Sequence, residues 1–328
     1  MKRKIYFRAD ADQRIGYGHF FRTLALADML KDDFDCVFYT QTPSDYQKKE
    51  LAAICSYVSL PSDDTKIDTF LDVLSGNEIV VLDNYFYTGE YELKVREKGC
   101  KVVLIDNLHK RHSFADAVLG FIMGLKEEDY SVEPYTKLYL GTNYSLLRRP
   151  FIERLTLKHA PIEDAENLKV VVSFGGFDQH GVAVAIANLI AVSDNVKIIT
   201  IIGNKSEGLL KSDKIIFRSV LSAQEMCEMF VSHDLAILPA STTMLEALAC
   251  GIKIIGGYIV DNQTDNYHQY VKSDAIIGCG NLMIEENRNK VKEIVENVEW
   301  HNRDTSDLII PTNLKDNILS IFSSLDRQ

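Results

Sequence analysis

Short apolar runs alternate with amphipathic segments along the first half of the chain. The runs are rich in Val, Ile, Leu, Phe and Tyr, which is typical of strands that a sheet buries on both faces. Between them, apolar residues recur at helical spacing, as at Phe20, Leu24, Ala27 and Leu30. The pattern predicts strands over residues 5–8, 36–39, 79–82, 102–105 and 117–119. It predicts helices over residues 19–30, 45–55, 67–74 and 90–98.

The same pattern restarts after a polar break that contains two prolines. The break consists of Arg148-Arg149-Pro150 and the charged stretch 158–167. Beyond it we predict strands over residues 170–174, 197–202, 215–218, 235–238 and 253–255. Helices are predicted over residues 181–191, 223–232, 242–249 and 263–272. A last helix is predicted over residues 311–324, and the sequence leaves open whether it packs on its own domain or back on the first.

Strand–helix alternation in both halves predicts an α/β chain with two doubly wound parallel sheets. We therefore assign residues 1–152 to an N-terminal Rossmann-like domain and residues 165–328 to a C-terminal one. In such domains, ligands bind outside the carboxyl ends of the strands. Loops that follow the strands of both sheets are accordingly expected to face one cleft.

Composition and charge narrow the classes of function. The chain has 328 residues, of which 46% are hydrophobic and 25% charged, so it has enough apolar material for two cores. Its formal net charge of -11 argues against binding of nucleic acid or anionic lipid, which favours a basic surface. An anionic small molecule is compatible with that charge, because backbone N–H groups and helix N-termini bind phosphate without basic side chains.

No segment of the sequence predicts secretion or stable membrane insertion. The amino-terminal apolar run is too short for a signal peptide, and no segment approaches about 18 uninterrupted apolar residues. The six cysteines form no C-x-x-C pair and several lie in apolar runs, so we expect reduced, buried thiols. We therefore expect a cytoplasmic protein, and no feature predicts its oligomeric state.

The loop after the first predicted strand carries the first candidate site. Its sequence Ile15-Gly16-Tyr17-Gly18-His19 opens the first helix. The glycines permit backbone geometries that a side chain would block. The dipole at the helix start disfavours a positive charge, which favours a neutral imidazole at His19 that can accept a proton from water. The same spacing also fits a simple glycine turn before a polar helix start.

Three loops in the second half have the character of nucleotide-binding loops. Phe174-Gly175-Gly176-Phe177-Asp178 ends a strand in two glycines, where bare amides suit a phosphate. Ser241-Thr242 begins a helix that carries Glu246, which suits a diphosphate and a pair of ribose hydroxyls. Asn262-Gln263 again lies between a strand and a helix. Each loop by itself also fits an ordinary turn or a capped helix.

The order of these motifs resembles one known family over nearly the whole chain. It is that of the UDP-2,4-diacetamido-2,4,6-trideoxy-β-L-altropyranose hydrolases of pseudaminic acid synthesis, with relatives described as spore-coat polysaccharide glycosyltransferases. The opening family pattern R-x-D…I-G-x-G-H-x-x-R…L-A is matched by Arg8, Asp10, Ile15, Gly16, Gly18, His19, Arg22, Leu26 and Ala27. Later blocks are matched at Leu82-Asp83-Asn84-Tyr85, Asp106-Asn107 with His112 and Asp116, Gly141 with Tyr144, Leu147 and Arg148, Gly175-Gly176-Phe177-Asp178, Ser241-Thr242 with Glu246-Ala247-Leu248, and Asn262-Gln263.

The resemblance implies a fold, an activity and residue roles. The fold would be GT-B, as in MurG-type glycosyltransferases, with UDP mainly in the second domain and the sugar in the cleft. His19 matches the catalytic histidine that would activate or position water at the anomeric carbon, and Tyr85 matches a tyrosine near the reaction centre. The residues implied to bind the substrate are Arg8, Asp10, Gly16, Gly18, Arg22, Asp83, Gly175, Gly176, Asp178, Ser241, Thr242, Glu246, Asn262 and Gln263.

Three positions depart from the family pattern. Phe177 replaces a threonine, Asn84 replaces a histidine or serine, and Asn107 replaces an acid. Phe177 lies in a predicted substrate loop, and the three departures concern the identity of the sugar more than the fold.

We therefore predict a UDP-sugar hydrolase that releases UDP and free sugar without a metal or cofactor. The nearest alternative is an inverting glycosyltransferase of surface polysaccharide synthesis, in which a sugar hydroxyl replaces water. A hydrolysing UDP-GlcNAc 2-epimerase is a third possibility, which the G-x-G-H loop fits less well. A different class is a non-catalytic UDP-sugar-binding protein, against which the presence of His19 with Tyr85 argues.

Overall fold

The computed structural model describes residues 2–12, 15–157, 162, 164–175, 178, 180–203, 206–219, 221–297 and 310–326. The chain divides into two compact units. The first comprises Met1–Arg149 together with Asn313–Gln328, and the second comprises Pro150–Thr312.

The first unit is built on a parallel sheet of seven strands in the order β3-β2-β1-β4-β5-β6-β7. The strands are β1 Lys4–Arg8, β2 Asp35–Gln41, β3 Ser56–Leu60, β4 Ile79–Leu82, β5 Lys101–Ile105, β6 Ala117–Gly120 and β7 Lys137–Leu140. The helices between them are α1 Gly18–Leu30, α2 Asp45–Ala52, α3 Thr65–Asp72 and α4 Gly89–Glu97. A short helix, α5 Arg149–Arg154, follows at the boundary between the units.

The central strands form because both of their faces are covered. Every residue of β4 is buried, and the strand pairs in register with β1 on one side and β5 on the other. β3 and β7 were not predicted from the sequence. Both lie at sheet edges, and most of their residues are half-buried or exposed. Edge strands therefore lack the continuous apolar run by which the central strands were found.

The second unit has a parallel sheet of six strands in the order β10-β9-β8-β11-β12-β13. The strands are β8 Leu168–Ser173, β9 Val196–Ile202, β10 Ile215–Arg218, β11 Leu235–Pro239, β12 Lys253–Tyr258 and β13 Ile277–Asn281. The helices are α6 Val182–Ile190, α7 Ala223–Ser232, α8 Thr242–Cys250, α9 Thr264–Lys272 and α10 Glu285–Glu296.

The last strand and helix of this unit were also missed in the sequence. β13 is short and contains two glycines, Gly278 and Gly280. α10 is strongly polar, and Val291 and Val295 are its buried residues. β13 is stabilised by its pairing with β12. α10 is stabilised by packing of its buried valines in the core.

The carboxyl-terminal helix, α11 Leu314–Asp326, belongs to the first unit. Its apolar face is buried, with the ring of Phe322 at 6.3 Å from that of Phe34. Arg3 donates a hydrogen bond to the carbonyl of Leu325 at 2.8 Å. Apolar packing and this bond join the end of the chain to its beginning. No helix in the described ranges combines the length and apolar character that crossing a membrane requires.

A buried histidine joins α7 to the sheet of the second unit. His233 is 8% exposed, and its Nδ1 donates to the carbonyl of Met229 at 2.9 Å. Its Nε2 accepts from the hydroxyl of Thr200 at 2.9 Å. Burial lowers the pKa of His233 below its ordinary value. The folded state therefore holds a neutral imidazole where the unfolded chain would take up a proton.

We expect His233→Gln to weaken the acid sensitivity of the fold. Unfolded His233 binds a proton as the pH falls through about 6.5, whereas the folded residue resists it. Its stabilisation is complete above that pH and is lost as the pH falls toward the folded pKa. Between about pH 7 and pH 5, denaturant titrations should show a shallower decrease in unfolding free energy for the variant, by at most about 1.4 kcal/mol per pH unit.

The matched control is His268→Gln, because His268 is exposed. Its pH dependence should follow that of the unmodified protein. Equal slopes for all three proteins would contradict the assignment of acid sensitivity to His233.

Candidate active site

The strand order of the first sheet reverses between β1 and β4, and the candidate catalytic residues lie at the carboxyl ends of these strands. This is the topological switch point at which open α/β sheets bind ligands. His19 is the second residue of α1, which follows β1, and Asp83 directly follows β4. Their side chains meet, with Nδ1 of His19 at 2.7 Å from Oδ1 of Asp83.

Asp83 accepts hydrogen bonds at both of its carboxylate oxygens. Oδ1 receives Nδ1 of His19 and Nη2 of Arg22. Oδ2 receives Nε of Arg22 at 2.6 Å and Oγ1 of Thr23 at 2.8 Å. The Asp83 side chain is completely buried. The hydrogen bonds that its carboxylate accepts from described residues all come from α1.

The charge state of Asp83 follows from these contacts. Burial opposes its ionisation, but the charge of Arg22 and the ring of His19 outweigh burial and hold the pKa of Asp83 well below its ordinary value. Burial also opposes the charge on Arg22, and Asp83 outweighs it, so the pKa of Arg22 is raised. Asp83 is a carboxylate near neutral pH and can only accept hydrogen bonds.

This carboxylate assigns the proton on the imidazole. With Nδ1 donating to Asp83, Nε2 of His19 keeps its lone pair. Nε2 makes no hydrogen bond within the described ranges. Nη2 of Arg22 lies 2.9 Å from the same Nδ1, so a second partner competes for that nitrogen. An imidazole oriented by a buried carboxylate is the arrangement of a general base.

Two neighbours of Asp83 complete the loop after β4. Tyr85 is 54% exposed, and its ring meets that of His19 edge-on at 4.5 Å between centroids. Asn84 is buried and joins this loop to the one after β1. Its Oδ1 accepts from the backbone N–H of Asp10 at 2.7 Å, and its Nδ2 donates to the carbonyl of Asp10 at 3.2 Å. The departure at Asn84 therefore has a structural role between the two loops.

Arg8 and Asp10 form a bidentate ion pair with no exposed surface. Asp10 also accepts from the backbone N–H of Gln41 at 2.8 Å and faces the ammonium of Lys66 at 3.3 Å. Burial opposes the charge on Asp10, and Arg8 outweighs it, so the pKa of Asp10 is lowered. Direct contact of this pair with substrate stays a prediction, and the observed contacts fix the loop after β1.

The glycine loop before α1 is described from Ile15 onward. Gly16 has a φ of +80°, in the left-handed region that favours glycine, and its N–H donates to the carbonyl of Asp12 at 2.8 Å. Gly18 is the first residue of α1. The backbone turn thus brings His19 to the helix start, as the sequence suggested, while ligand contacts of both glycines stay predictions.

The loop after β8 differs from the expectation of a bare helix start. Asp178 accepts from the N–H of Val182 at 3.0 Å and from that of Ala183 at 2.7 Å. Its carboxylate thereby occupies the amides at the start of α6 that were expected to face a phosphate. Gly175 has a φ of +83° and open space where a Cβ would lie. Gly176 and Phe177 lie outside the described residues.

The start of α8 lacks such a cap. Its N-cap residue, Ser241, makes no side-chain capping bond. Within the described residues, the backbone N–H groups of Thr242 and Thr243 donate no hydrogen bond. Glu246 lies one turn further along the helix and is buried. Since β8 and β11 flank the switch point of the second sheet, α8 presents its free amides where phosphates bind in such folds.

The remaining residues singled out in the sequence differ in whether their side chains are free to contact a ligand or are already hydrogen-bonded within the protein. Asn262 is exposed, and Gln263 accepts from the N–H of Ile259 at 2.9 Å. Asn107 accepts from the N–H of Phe121 at 3.0 Å, so this departure also has a structural role. Within the described ranges, no three His, Cys, Asp or Glu side chains are grouped as a metal site would require.

Sequence reasoning missed Thr23. It lies four positions after His19 on α1 and donates to Asp83. The signal was present in the spacing, because residues four positions apart share one face of a helix. What the sequence could not show is that Asp83, sixty positions later, lies against that face.

Two curated relatives match most of the chain. It is 26% identical over 287 residues to the uncharacterized protein MJ1062 of Methanocaldococcus jannaschii, a match that covers 82% of this chain and 58% of that protein. The chain thus spans little more than half the length of that relative. It is 23% identical over 257 residues to the UDP-2,4-diacetamido-2,4,6-trideoxy-β-L-altropyranose hydrolase of Campylobacter jejuni, covering 75% of this chain and 88% of that one. No protein-family model matches the chain.

Solved structures agree with the chain over nearly its full length. MurG of Acinetobacter baumannii is 12% identical and superposes with a TM-score of 0.61, covering 98% of this chain and 99% of that one. HepE of Anabaena in complex with UDP-glucose is 13% identical, with a TM-score of 0.58 and coverage of 98% and 100%. At these identities the likeness establishes the fold. The predicted fold class, two Rossmann-like parallel-sheet domains of the GT-B type, is confirmed.

Proposed function

We propose that this protein hydrolyses a UDP-sugar at the anomeric carbon and releases UDP and the free sugar. The observation that carries the proposal is the contact between His19 and the buried carboxylate of Asp83. It leaves Nε2 of His19 as a base at the carboxyl edge of the first sheet. The name of the Campylobacter jejuni relative, a UDP-sugar hydrolase, supports the same reaction.

In this reaction, Nε2 of His19 removes a proton from water as the water oxygen bonds to the anomeric carbon. The bond between that carbon and the UDP oxygen breaks, and UDP leaves with the electron pair. Asp83 stabilises the imidazolium that forms, because its carboxylate faces Nδ1. The proton then passes to solvent. A positioned general base typically contributes about 10²- to 10⁴-fold to the rate.

The start of α8 is the proposed site of the diphosphate. The amides of Thr242 and Thr243 and the helix dipole would stabilise the charge that develops on UDP as it leaves. Glu246, one turn further along, is proposed to accept hydrogen bonds from the ribose hydroxyls. Asn262 is exposed in the loop after β12 and is proposed as a further nucleotide contact.

The sugar proposed is the 2,4-diacetamido-2,4,6-trideoxy-altrose carried by the substrate in the name of the Campylobacter jejuni relative. Two exposed aromatic residues in the loop after β4, of which Tyr85 contacts the ring of His19, support a sugar with apolar substituents. Tyr85 is 54% exposed and Phe86 is 41% exposed. Their rings would contact acetamido methyl groups and a deoxy carbon favourably, since exposed apolar patches commonly mark ligand sites.

An inverting glycosyltransferase is the second candidate. The solved structures that share the fold include glycosyltransferases, and the same base would then deprotonate an acceptor hydroxyl instead of water.

A UDP-release assay without any acceptor separates the two reactions. We expect release of UDP from UDP-2,4-diacetamido-2,4,6-trideoxy-β-L-altrose and none from UDP-GlcNAc measured in parallel. Release only after an acceptor sugar is added would instead establish the transferase. No release under either condition, together with retained UDP binding, would favour a binding protein.

We expect His19→Asn to abolish most turnover while it leaves UDP binding within several-fold. Asn keeps a polar group but supplies no base, so the rate of UDP release should fall about 10²- to 10⁴-fold. Calorimetric titration with UDP measures the binding. The matched control is His268→Asn, an exposed histidine of the second unit, which should retain full turnover. Near-normal turnover of His19→Asn would exclude the proposed base.

Thr242→Pro tests whether the start of α8 binds phosphate. Residue 242 is the first helical position, which tolerates proline, and the preceding Ser241 has the extended backbone that proline requires. The change removes one N–H without interrupting the helix. We expect UDP affinity to fall roughly 10- to 100-fold, the effect of one hydrogen bond to a charged group.

Two variants distinguish loss of the N–H of residue 242 from the other effects of Thr242→Pro. Thr242→Ala removes the hydroxyl and keeps the N–H, so the loss it causes should be the smaller one. Ala223→Pro introduces the same residue at the first position of α7, whose N-cap Ser222 is also extended. It should leave UDP affinity unchanged. Equal losses in Thr242→Pro and Ala223→Pro would place the effect in folding rather than in phosphate binding.

A further inference from the structure

Three donors on one face of α1 converge on a single carboxylate. His19, Arg22 and Thr23 are spaced by three and four positions, so they lie on the same side of the helix. Arg22 contacts both oxygens of Asp83, whereas Thr23 contacts only Oδ2, at 2.8 Å. Thr23 and Asp83 are both fully buried. Thr23 therefore fixes the carboxylate oxygen that His19 does not use.

Nδ1 of His19 has two partners with opposite requirements. Oδ1 of Asp83, at 2.7 Å, accepts a proton, while Nη2 of Arg22, at 2.9 Å, can only donate one. With the ring proton on Nδ1, the imidazole bonds to Asp83 and Nε2 is a base. With the proton on Nε2, Nδ1 accepts from Arg22 and Nε2 is no longer a base. The two tautomers thus differ in catalytic competence.

The orientation of Asp83 decides between them. A rotation that moves Oδ1 away from His19 leaves Nδ1 facing the guanidinium and favours the second tautomer. Arg22 has several donors on a long side chain, so it can follow a rotating carboxylate. Thr23 has one donor on a short β-branched side chain that is stiff in a helix. In a helix, a threonine hydroxyl often donates to the backbone carbonyl four residues earlier. The hydroxyl of Thr23 donates to Oδ2 of Asp83 instead.

We propose that Thr23 is a positioning residue that selects the Nδ1–H tautomer of His19 by holding Oδ2 of Asp83. The effect of Thr23 on turnover rests on the proposed function. The tautomer itself is a property of the protein without ligand, and it can be measured independently of any reaction.

The titratable groups around this cluster stay the same when Thr23 is replaced. Arg22 faces Asp83 from α1, and Tyr85 faces Arg22 from the loop after β4. Tyr87, further along that loop, lies within electrostatic range of Asp83. Because Thr23 carries no charge, Thr23→Val changes the anchoring of the carboxylate while the formal charge of the site is unchanged.

The first measurement is ¹⁵N NMR of protein labelled at histidine, without ligand and at a pH where the ring is neutral. The signals of His19 are identified by their absence in His19→Asn. We expect the unmodified protein to hold the Nδ1–H form, and Thr23→Val to shift the tautomer ratio toward Nε2–H by roughly 10-fold, as loss of a hydrogen bond to a charged group implies. Thr23→Ser, which restores the hydroxyl, should restore the ratio.

The second measurement is UDP release by the same variants. In Thr23→Val, kcat should fall by the same factor as the Nδ1–H fraction measured by NMR, with KM unchanged, because the substrate is not contacted. Thr23→Ser should recover it. The matched control is Thr40→Val on β2, since Thr40 is equally buried and its hydroxyl has no partner in the described part of the chain. It should change neither measurement.

Three outcomes would overturn the proposal. One is an unchanged tautomer ratio in Thr23→Val, another is failure of Thr23→Ser to restore it, and the third is an equal shift in Thr40→Val. If Thr23→Val does not fold, Thr23→Ala provides the same comparison. Absence of UDP release by the unmodified protein would reject the proposed function alone, because the NMR measurement still decides the role of Thr23.

Discussion

The first unit depends on keeping one buried carboxylate charged. Asp83 lies without solvent at the end of a central strand, where an unpaired charge would cost several kcal/mol. Donors from a single helix, α1, satisfy both of its oxygens, so the charge also fixes the helix against the sheet. Arg22 supplies the compensating charge, and His19 receives its orientation from the same carboxylate. The hydrogen bonds that stabilise the buried charge of Asp83 thus also orient the imidazole of His19, the candidate base.

A second buried charge pair fixes the loop on the other side of the switch point. Arg8 and Asp10 neutralise each other at the end of β1, and Asn84 ties their loop to the one that carries Asp83. Removing one partner of such a pair leaves the other unsatisfied, which is far more costly than losing an exposed ion pair. The carboxyl edge of the first sheet is therefore held by polar contacts that burial makes strong.

In the second unit, two similar loops differ in whether the backbone amides at the start of the following helix are already hydrogen-bonded. Both α6 and α8 follow strands at the switch point of their sheet. Asp178 caps α6 with its own carboxylate, whereas Ser241 leaves the start of α8 without a side-chain cap. Asp178 occupies two of the amides at the start of α6, whereas the start of α8 retains both its dipole and its donors. From the sequence, a phosphate contact was expected at both loops.

The sequence by itself determined the alternation of buried strands and helices, because apolar runs and helical spacing are local properties of the chain. It also determined that His19 opens a helix after a glycine turn. The edge strands β3 and β7 and the polar helix α10 were decided by tertiary structure. The two strands pair with β2 and β6, and α10 packs on the core through Val291 and Val295, so no local apolar run predicts them. The partners of His19 and the cap on α6 were decided in the same way. Hydrogen bonds between residues sixty positions apart, such as that of Thr23 with Asp83, exist only once the sheet has brought the two loops together.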